Sequence, residues 1–169
     1  LVQKLNNGKA LSIFTRGLSL PFHKIAYDCY TDSKTTAERG NKRMDKIAFC
    51  GHHCGFCPYD QCPGCRSANA FCSFATLFED KKCPNVKCCL EKDLDGCYEC
   101  KDLTDCRIGF YDTKEQVAKA TALFIQKHGK SQYELSLVRA IQSGVRYPNQ
   151  FNELEDVDKM IELLEKYRS

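Results

Sequence analysis

The stretch Cys50-Gly-His-His-Cys54-Gly-Phe-Cys57, continued by Cys62-Pro-Gly-Cys65 and closed by Cys97-Tyr-Glu-Cys100 and Cys106, decides how the chain is read. Between Cys50 and Cys106 lie all of the chain's 13 cysteines except Cys29. A hydrophobic core has no need of thiols at that density, so they bind metal or one another. Cysteines two residues apart reach a common ion from a tight turn, and the glycine or proline beside them permits the turn. Cys54/Cys57, Cys62/Cys65 and Cys97/Cys100 are such pairs, and Cys50, Cys83, Cys88, Cys89 and Cys106 are available to complete their shells.

Three chemistries compete for these thiols. Disulfides require an oxidising compartment. No secretory signal is legible, because the apolar positions from Leu11 to Leu20 are broken by Thr15 and Arg16, and the odd cysteine total and adjacent Cys88-Cys89 fit disulfides poorly. Iron–sulfur has two matches. Cys50-x3-Cys54-x2-Cys57 has the radical S-adenosylmethionine spacing, but the chain lacks the length and the alternating strand–helix pattern of that fold. Cys57-x4-Cys62-x2-Cys65 has the plant-type ferredoxin spacing. Zinc is favoured, since four thiolates make a closed tetrahedral structural site. Eight thiolates would serve about two ions, and a structural zinc contributes on the order of 10–16 kcal/mol in small peptides. That is enough to fold a module with little core.

Charge is divided along the chain. Residues 1–43 carry eight Lys/Arg against three Asp/Glu, residues 44–107 eight against ten, and residues 108–169 nine of each. The cysteine region is therefore slightly acidic, and thiolates would make it more so. That disfavours nucleic acid, whose phosphates call for a local excess of Lys/Arg. No run of about eighteen apolar residues is present, so no membrane span is expected.

The sequence divides into an N-terminal extension at 1–43, a cysteine-rich metal-binding module at 44–110 and a helical C-terminal segment at 111–169. The extension is expected to be poorly ordered ahead of Met44-Asp45-Lys46, although its basic, acid-poor start also resembles an organellar transit peptide. Cys29 in it reads as a free thiol. Inside the module, Ser67–Glu79 reads as a short helix carrying Cys72, a buried structural thiol. Three amphipathic helices follow. Thr113-x-x-Gln116 is a capping box ahead of Val117, Ala120, Thr121, Phe124 and His128, with Gly129 as the stop. Ser131-x-x-Glu134 opens the second, with Tyr133, Leu137, Val138 and Ile141 inward and Gly144 ending it. Asn152 with Glu155 opens the third, along Leu154, Val157, Ile161, Leu164 and Tyr167. About sixty residues are marginal for a separate core, so the helices are expected to pack on the module. The fold class is a small, irregular, metal-stabilised module of short turns and strands packed with a three-helix segment.

His52 and His53 read as partly exposed loop histidines. His128, ending a helix, is favoured there by the local negative dipole. No serine–histidine elbow, phosphate-binding glycine loop or carboxylate placed to activate a zinc-bound water is present. A non-enzymatic module is the expectation.

The pattern Cys50-Gly-x-x-Cys54-x-x-Cys57-x4-Cys62-x-Gly64-Cys65 resembles the opening of a cysteine-rich prokaryotic family, domain of unknown function 3795. The second half is similar too: Cys83-x4-Cys88, Glu91-Lys92, Gly96-Cys97-Tyr98-Glu99-Cys100 and Cys106. The resemblance spans roughly residues 46–110 and extends to Ala122-Leu123-Phe124 and Lys127-His128-Gly129-Lys130. It implies metal ligation by Cys50, Cys54, Cys57, Cys62, Cys65, Cys83, Cys88, Cys97, Cys100 and Cys106, with Cys72 and Cys89 extra. Leu103-Thr104-Asp105 stands before Cys106 where the family has Phe-Pro. A prokaryotic, cytoplasmic setting is implied, and no reaction.

The expected function is a structural zinc-binding interaction or regulatory module with a protein partner; the alternative is an iron–sulfur or thiol-redox protein using the same cysteines. Deleting residues 1–43 is predicted to leave metal content unchanged by elemental analysis. Loss of the metal would make the extension part of the fold.

Overall fold

A proline at the first helical position and a run of small residues set the two helices nearest the cysteines. The computed structural model describes residues 46–59, 61–68 and 70–168; the extension and Cys29 lie outside them. Helix α1 (Pro84–Glu91) starts with Pro84 directly after Cys83, where the missing N–H costs nothing and the fixed φ suits a helix. Helix α2 (Val117–His128) buries Ala118, Ala120 and Ala122 as well as Phe124 and Ile125, so it is covered on most sides. Helix α3 (Lys130–Gln142) buries Tyr133, Ser136, Leu137 and Ala140, the i, i+3, i+4, i+7 stripe of an amphipathic helix. A single turn, α4 (Asn149–Asn152), precedes α5 (Val157–Lys166), which buries Met160 and Leu164. Helices α2, α3 and α5 contact one another pairwise.

The three-helix expectation holds, while the start signals differ. Thr113 hydroxyl bonds to the Phe110 and Glu115 carbonyls, and Gln116 itself is the N-cap of α2, its side-chain amide donating to the Thr113 carbonyl and capping no helix N–H. Gly129, at φ +82°, ends α2 and begins α3. The third helix is opened by Asp156, whose Oδ1 accepts the Lys159 N–H at 3.0 Å, and not by Asn152. Aspartate with extended backbone satisfies an orphan donor and suits the positive helix end.

The cysteine region holds no strand among the described residues, contrary to the short strands expected. Its regular pieces are 3-10 turns at Cys54–Phe56, Ser73–Leu77, Cys97–Glu99 and Gly109–Asp112, plus an isolated antiparallel bridge between Ile47 and His53. Glycine, proline and close-set cysteines interrupt any alternating run before a ladder can form. The helix read over Ser67–Glu79 is confined to the 3-10 turn Ser73–Leu77, and α1 was not anticipated.

Module and helices share one core. Ile47, Phe49, Leu103 and Tyr111 from the module join Phe124, Tyr133, Leu137, Phe151, Met160 and Leu164. Gly51, at φ +91°, lies where a Cβ would meet the Ala122 backbone nitrogen at 2.7 Å. Two polar clamps reinforce this packing, one joining module to helices and one joining helices to each other. Arg66 donates to the Ile47 carbonyl at 2.5 Å, to Asp95 at 3.0 Å and to Tyr98 hydroxyl at 2.8 Å, and Lys130 of α3 reaches Asp95 at 2.7 Å. Partial burial alone would raise the Asp95 carboxyl; hydrogen bonds from Lys130 and Tyr98, with the Arg66 charge, instead bring it down to about 2. On the far side, Glu165 of α5 accepts from Lys127 at 2.9 Å and Arg168 at 2.6 Å and lies 2.6 Å from His128 Nε2.

Gly51→Ala is predicted to lower stability by about 2–4 kcal/mol, combining the left-handed backbone penalty with overpacking, as read from the urea midpoint. Hydrogen bonds from Lys127 and His128 lower the Glu165 pKa from its ordinary 4.5 to about 2. A depressed carboxylate stabilises the fold above its unfolded pKa and loses that contribution as pH falls toward its folded pKa. Glu165→Gln is therefore predicted to cost on the order of 1 kcal/mol or less at neutral pH, and to flatten stability loss between the two values. An unchanged acid profile would refute this.

Candidate metal centre

Two of the three cysteine pairs flank a 3-10 turn, and the third lies about a glycine with positive φ. A 3-10 helix repeats every three residues, so positions i and i+3 eclipse. Cys54 and Cys57 flank one such turn, closed by Cys57 N–H to the Cys54 carbonyl at 3.1 Å. Cys97 and Cys100 flank another, closed at 3.0 Å. Cys62 and Cys65 lie about Gly64, whose φ is +80°. The pairing legible in the sequence is thus a property of the local backbone.

The pairs gather into two groups. In the first, Cys50 is deprotonated reluctantly because of its burial and then because of nearby Cys65, with Cys83 and Cys97 adding to the effect. Cys54 likewise lies near Cys65, Cys57, Cys62 and Cys72. Backbone amides point at two of these sulfurs: Phe49 N–H donates to Cys65 Sγ at 3.4 Å and Ser73 N–H to Cys62 Sγ at 3.2 Å. Such donors stabilise thiolate and orient a ligand. Cys72 is half-buried and belongs to this group, not to an isolated structural position.

The second group borders a partly open pocket of about 220 Å³, whose lining includes Cys88, Cys89, Cys97, Cys100 and Cys106 and the carboxylates of Asp102 and Asp105. Cys89 Sγ lies 3.5 Å from Cys97 Sγ. The hydrogen bond between them raises the Cys89 pKa, as does burial; for Cys97 it acts in the opposite direction and outweighs burial, so Cys97 is the readier thiolate. Asn85 Nδ2 also approaches Cys97 Sγ at 3.8 Å, and Lys92 Nζ approaches Cys100 Sγ at 3.9 Å. The Lys92 ammonium is favoured by the neighbouring Cys88 and Cys100.

All twelve described cysteines are free thiols, with Cys50, Cys65, Cys83, Cys89 and Cys97 buried and Cys54 exposed. Among the described residues, no three His, Cys, Asp or Glu side chains are arranged to hold a metal ion. The donor chemistry nevertheless suits a thiolate-bound metal: soft sulfur ligands, N–H groups directed at sulfur, and a cation beside the thiols.

His53 departs from the reading as a partly exposed loop residue, whereas His52 is half-buried. His53 is buried, lies over Phe56 with ring centroids 4.6 Å apart, and has its Nε2 3.7 Å from Glu134. His52 Nδ1 lies 2.9 Å from the Tyr147 hydroxyl, 95 residues away in sequence. Burial, then the adjacent His53, lowers the His52 pKa to about 4, so its ring is neutral near pH 7. The Tyr147 hydroxyl accepts the His53 backbone N–H at 2.9 Å and lies 3.5 Å from the Tyr133 hydroxyl. This network fastens the first cysteine loop to the helical segment.

Sequence reasoning missed Asn85, Lys92, Tyr111 and Tyr147 as groups around the thiols. Asn85 is buried, with its amide satisfied by the Ile108 carbonyl and Phe110 N–H, each at 3.0 Å. Its only local signal is the Pro84 helix start. Comparison with family models, with curated proteins and with solved structures gives no match.

Proposed function

We propose that this chain is a structural zinc–thiolate protein, acting as a prokaryotic, cytoplasmic interaction or regulatory module. The observation carrying the reading is the first cysteine group, with Cys54 and Cys57 on one turn and backbone N–H groups on Cys62 and Cys65. Zinc would be held by thiolates drawn from Cys50, Cys54, Cys57, Cys62, Cys65 and Cys83. Its role there is to tie turns together, with no redox chemistry of its own. Similarity of the ten-cysteine pattern to the domain of unknown function 3795 family supports the same reading.

A protein partner is supported by an apolar face on the module. Leu77 is 73% and Tyr59 57% exposed, beside an edge-to-face series in which Phe74 meets Tyr59 at 5.1 Å and Phe110 at 5.9 Å, and Phe78 meets Phe110 at 5.4 Å. An exposed leucine and tyrosine beside half-buried rings suit a protein interface more than solvent.

A second reading, an iron–sulfur or thiol-redox protein, is favoured by the thiol-lined cavity. The first reading is tested by elemental analysis of anaerobically purified full-length chain. At least one zinc per chain is predicted, with a closed four-thiolate site. Zinc is predicted to fall in the Cys54→Ser/Cys57→Ser variant, with a lowered melting temperature after chelation. Metal-free protein of unchanged stability would overturn the reading.

A further inference from the structure

The second cysteine group differs from the first in bordering a partly open pocket. Zinc with sulfurs at about 2.3 Å draws four thiolates to roughly 3.8 Å from one another, leaving no void between them. Here five cysteines border about 220 Å³, the volume of about seven waters at roughly 30 Å³ each. A pocket of that size has room for a polynuclear group with several bonding positions for sulfur. Part of the remaining wall is apolar, from Leu94, Leu103 and Ile108, while polar groups converge on the sulfurs. Lys92 Nζ stands 3.9 Å from Cys100 Sγ, Asn85 Nδ2 3.8 Å from Cys97 Sγ, and the Cys89 sulfur 3.5 Å from Cys97 Sγ. Hydrogen bonds to sulfur, a compensating cation and a partly apolar shell are the levers by which proteins hold and tune iron–sulfur clusters.

We infer that this pocket is the site of an iron–sulfur cluster held by Cys88, Cys97, Cys100 and Cys106, a ligand set that shares no cysteine with the proposed zinc site. Asn85 and Lys92 are positioning residues: they direct an amide and an ammonium at ligand sulfurs, while Cys89 borders the pocket without being a ligand. Four cysteine ligands satisfy the usual demand of such clusters. The assignment rests on the metal–thiolate reading of the chain and deepens it, dividing the ten implied ligands between two kinds of centre.

The test uses full-length protein reconstituted anaerobically with ferrous iron and sulfide. Iron and acid-labile sulfide are expected to bind with a broad visible absorption band. Both are expected to be lost in Cys97→Ser/Cys100→Ser and retained in Cys89→Ala and in Cys54→Ser/Cys57→Ser. Unchanged labile sulfide in the Cys97/Cys100 variant, or its loss in Cys89→Ala, would overturn the ligand set. A second measurement does not depend on folding of the variants. In the reconstituted wild type, the half-buried Cys88, Cys100 and Cys106 are expected to resist alkylation and to become reactive after the cluster is chelated away. Protection confined to the first group would overturn the site. Zinc bound with no labile sulfide would overturn the cluster and leave the zinc proposal standing; protein that binds neither metal would overturn both.

Discussion

The seating of the first cysteine loop on helix α2 is the constraint on which the rest depends. Gly51 approaches Ala122 so closely that no side chain fits between them, and its positive φ turns the chain at that point. The loop is then held from three directions. Tyr111 hydroxyl donates to the Cys50 carbonyl at 2.8 Å, Cys97 N–H to the Phe49 carbonyl at 2.7 Å, and His53 N–H to Tyr147 hydroxyl at 2.9 Å. Each bond joins an otherwise irregular segment to a part of the chain far from it in sequence. A region without ladders satisfies its buried polar groups in this way, and it also places Cys50 beside Cys65, Cys83 and Cys97.

That placement has an electrostatic consequence. Burial followed by neighbouring cysteines raises the pKa of Cys50 and of Cys54, so thiolates crowded together here repel one another. A bound cation reverses the balance, because coordination favours the deprotonated sulfur and releases its proton. The module thus gathers soft ligands whose mutual repulsion a metal would relieve. Around the second group, Lys92 and Asn85 supply part of that compensation from the protein itself.

The helical segment supplies what the module lacks. Phe124, Tyr133, Leu137 and Phe151 are fully buried, and they adjoin the module's Ile47 and Leu103 in one core. Burial of such side chains is worth about 1.5–3 kcal/mol each, a scale no 3-10 turn reaches alone. Asp95 adds a polar joint, taking Arg66 from the module and Lys130 from α3 on one carboxylate. The cysteine module and helices are therefore parts of one packed unit.

The sequence by itself determined the elements governed by short-range rules. Cys-x-x-Cys spacing legibly foretold pairs on tight turns, since three residues complete a 3-10 turn, and the 3.6-residue apolar stripes foretold three helices near their observed places. Glycine marked two helix ends because it accepts the positive φ found at Gly129 and Gly144. Tertiary structure alone decided the grouping of the pairs, the burial of His53, the contact of His52 with Tyr147, and the convergence of Asn85, Lys92 and Cys89 on the second group. Those outcomes depend on contacts such as His52 with Tyr147, 95 residues apart, and local spacing contains no record of them. Short strands failed to form for a related reason: a strand needs a partner in register, and near the bridge of Ile47 with His53 the backbone instead closes tight turns around its cysteines.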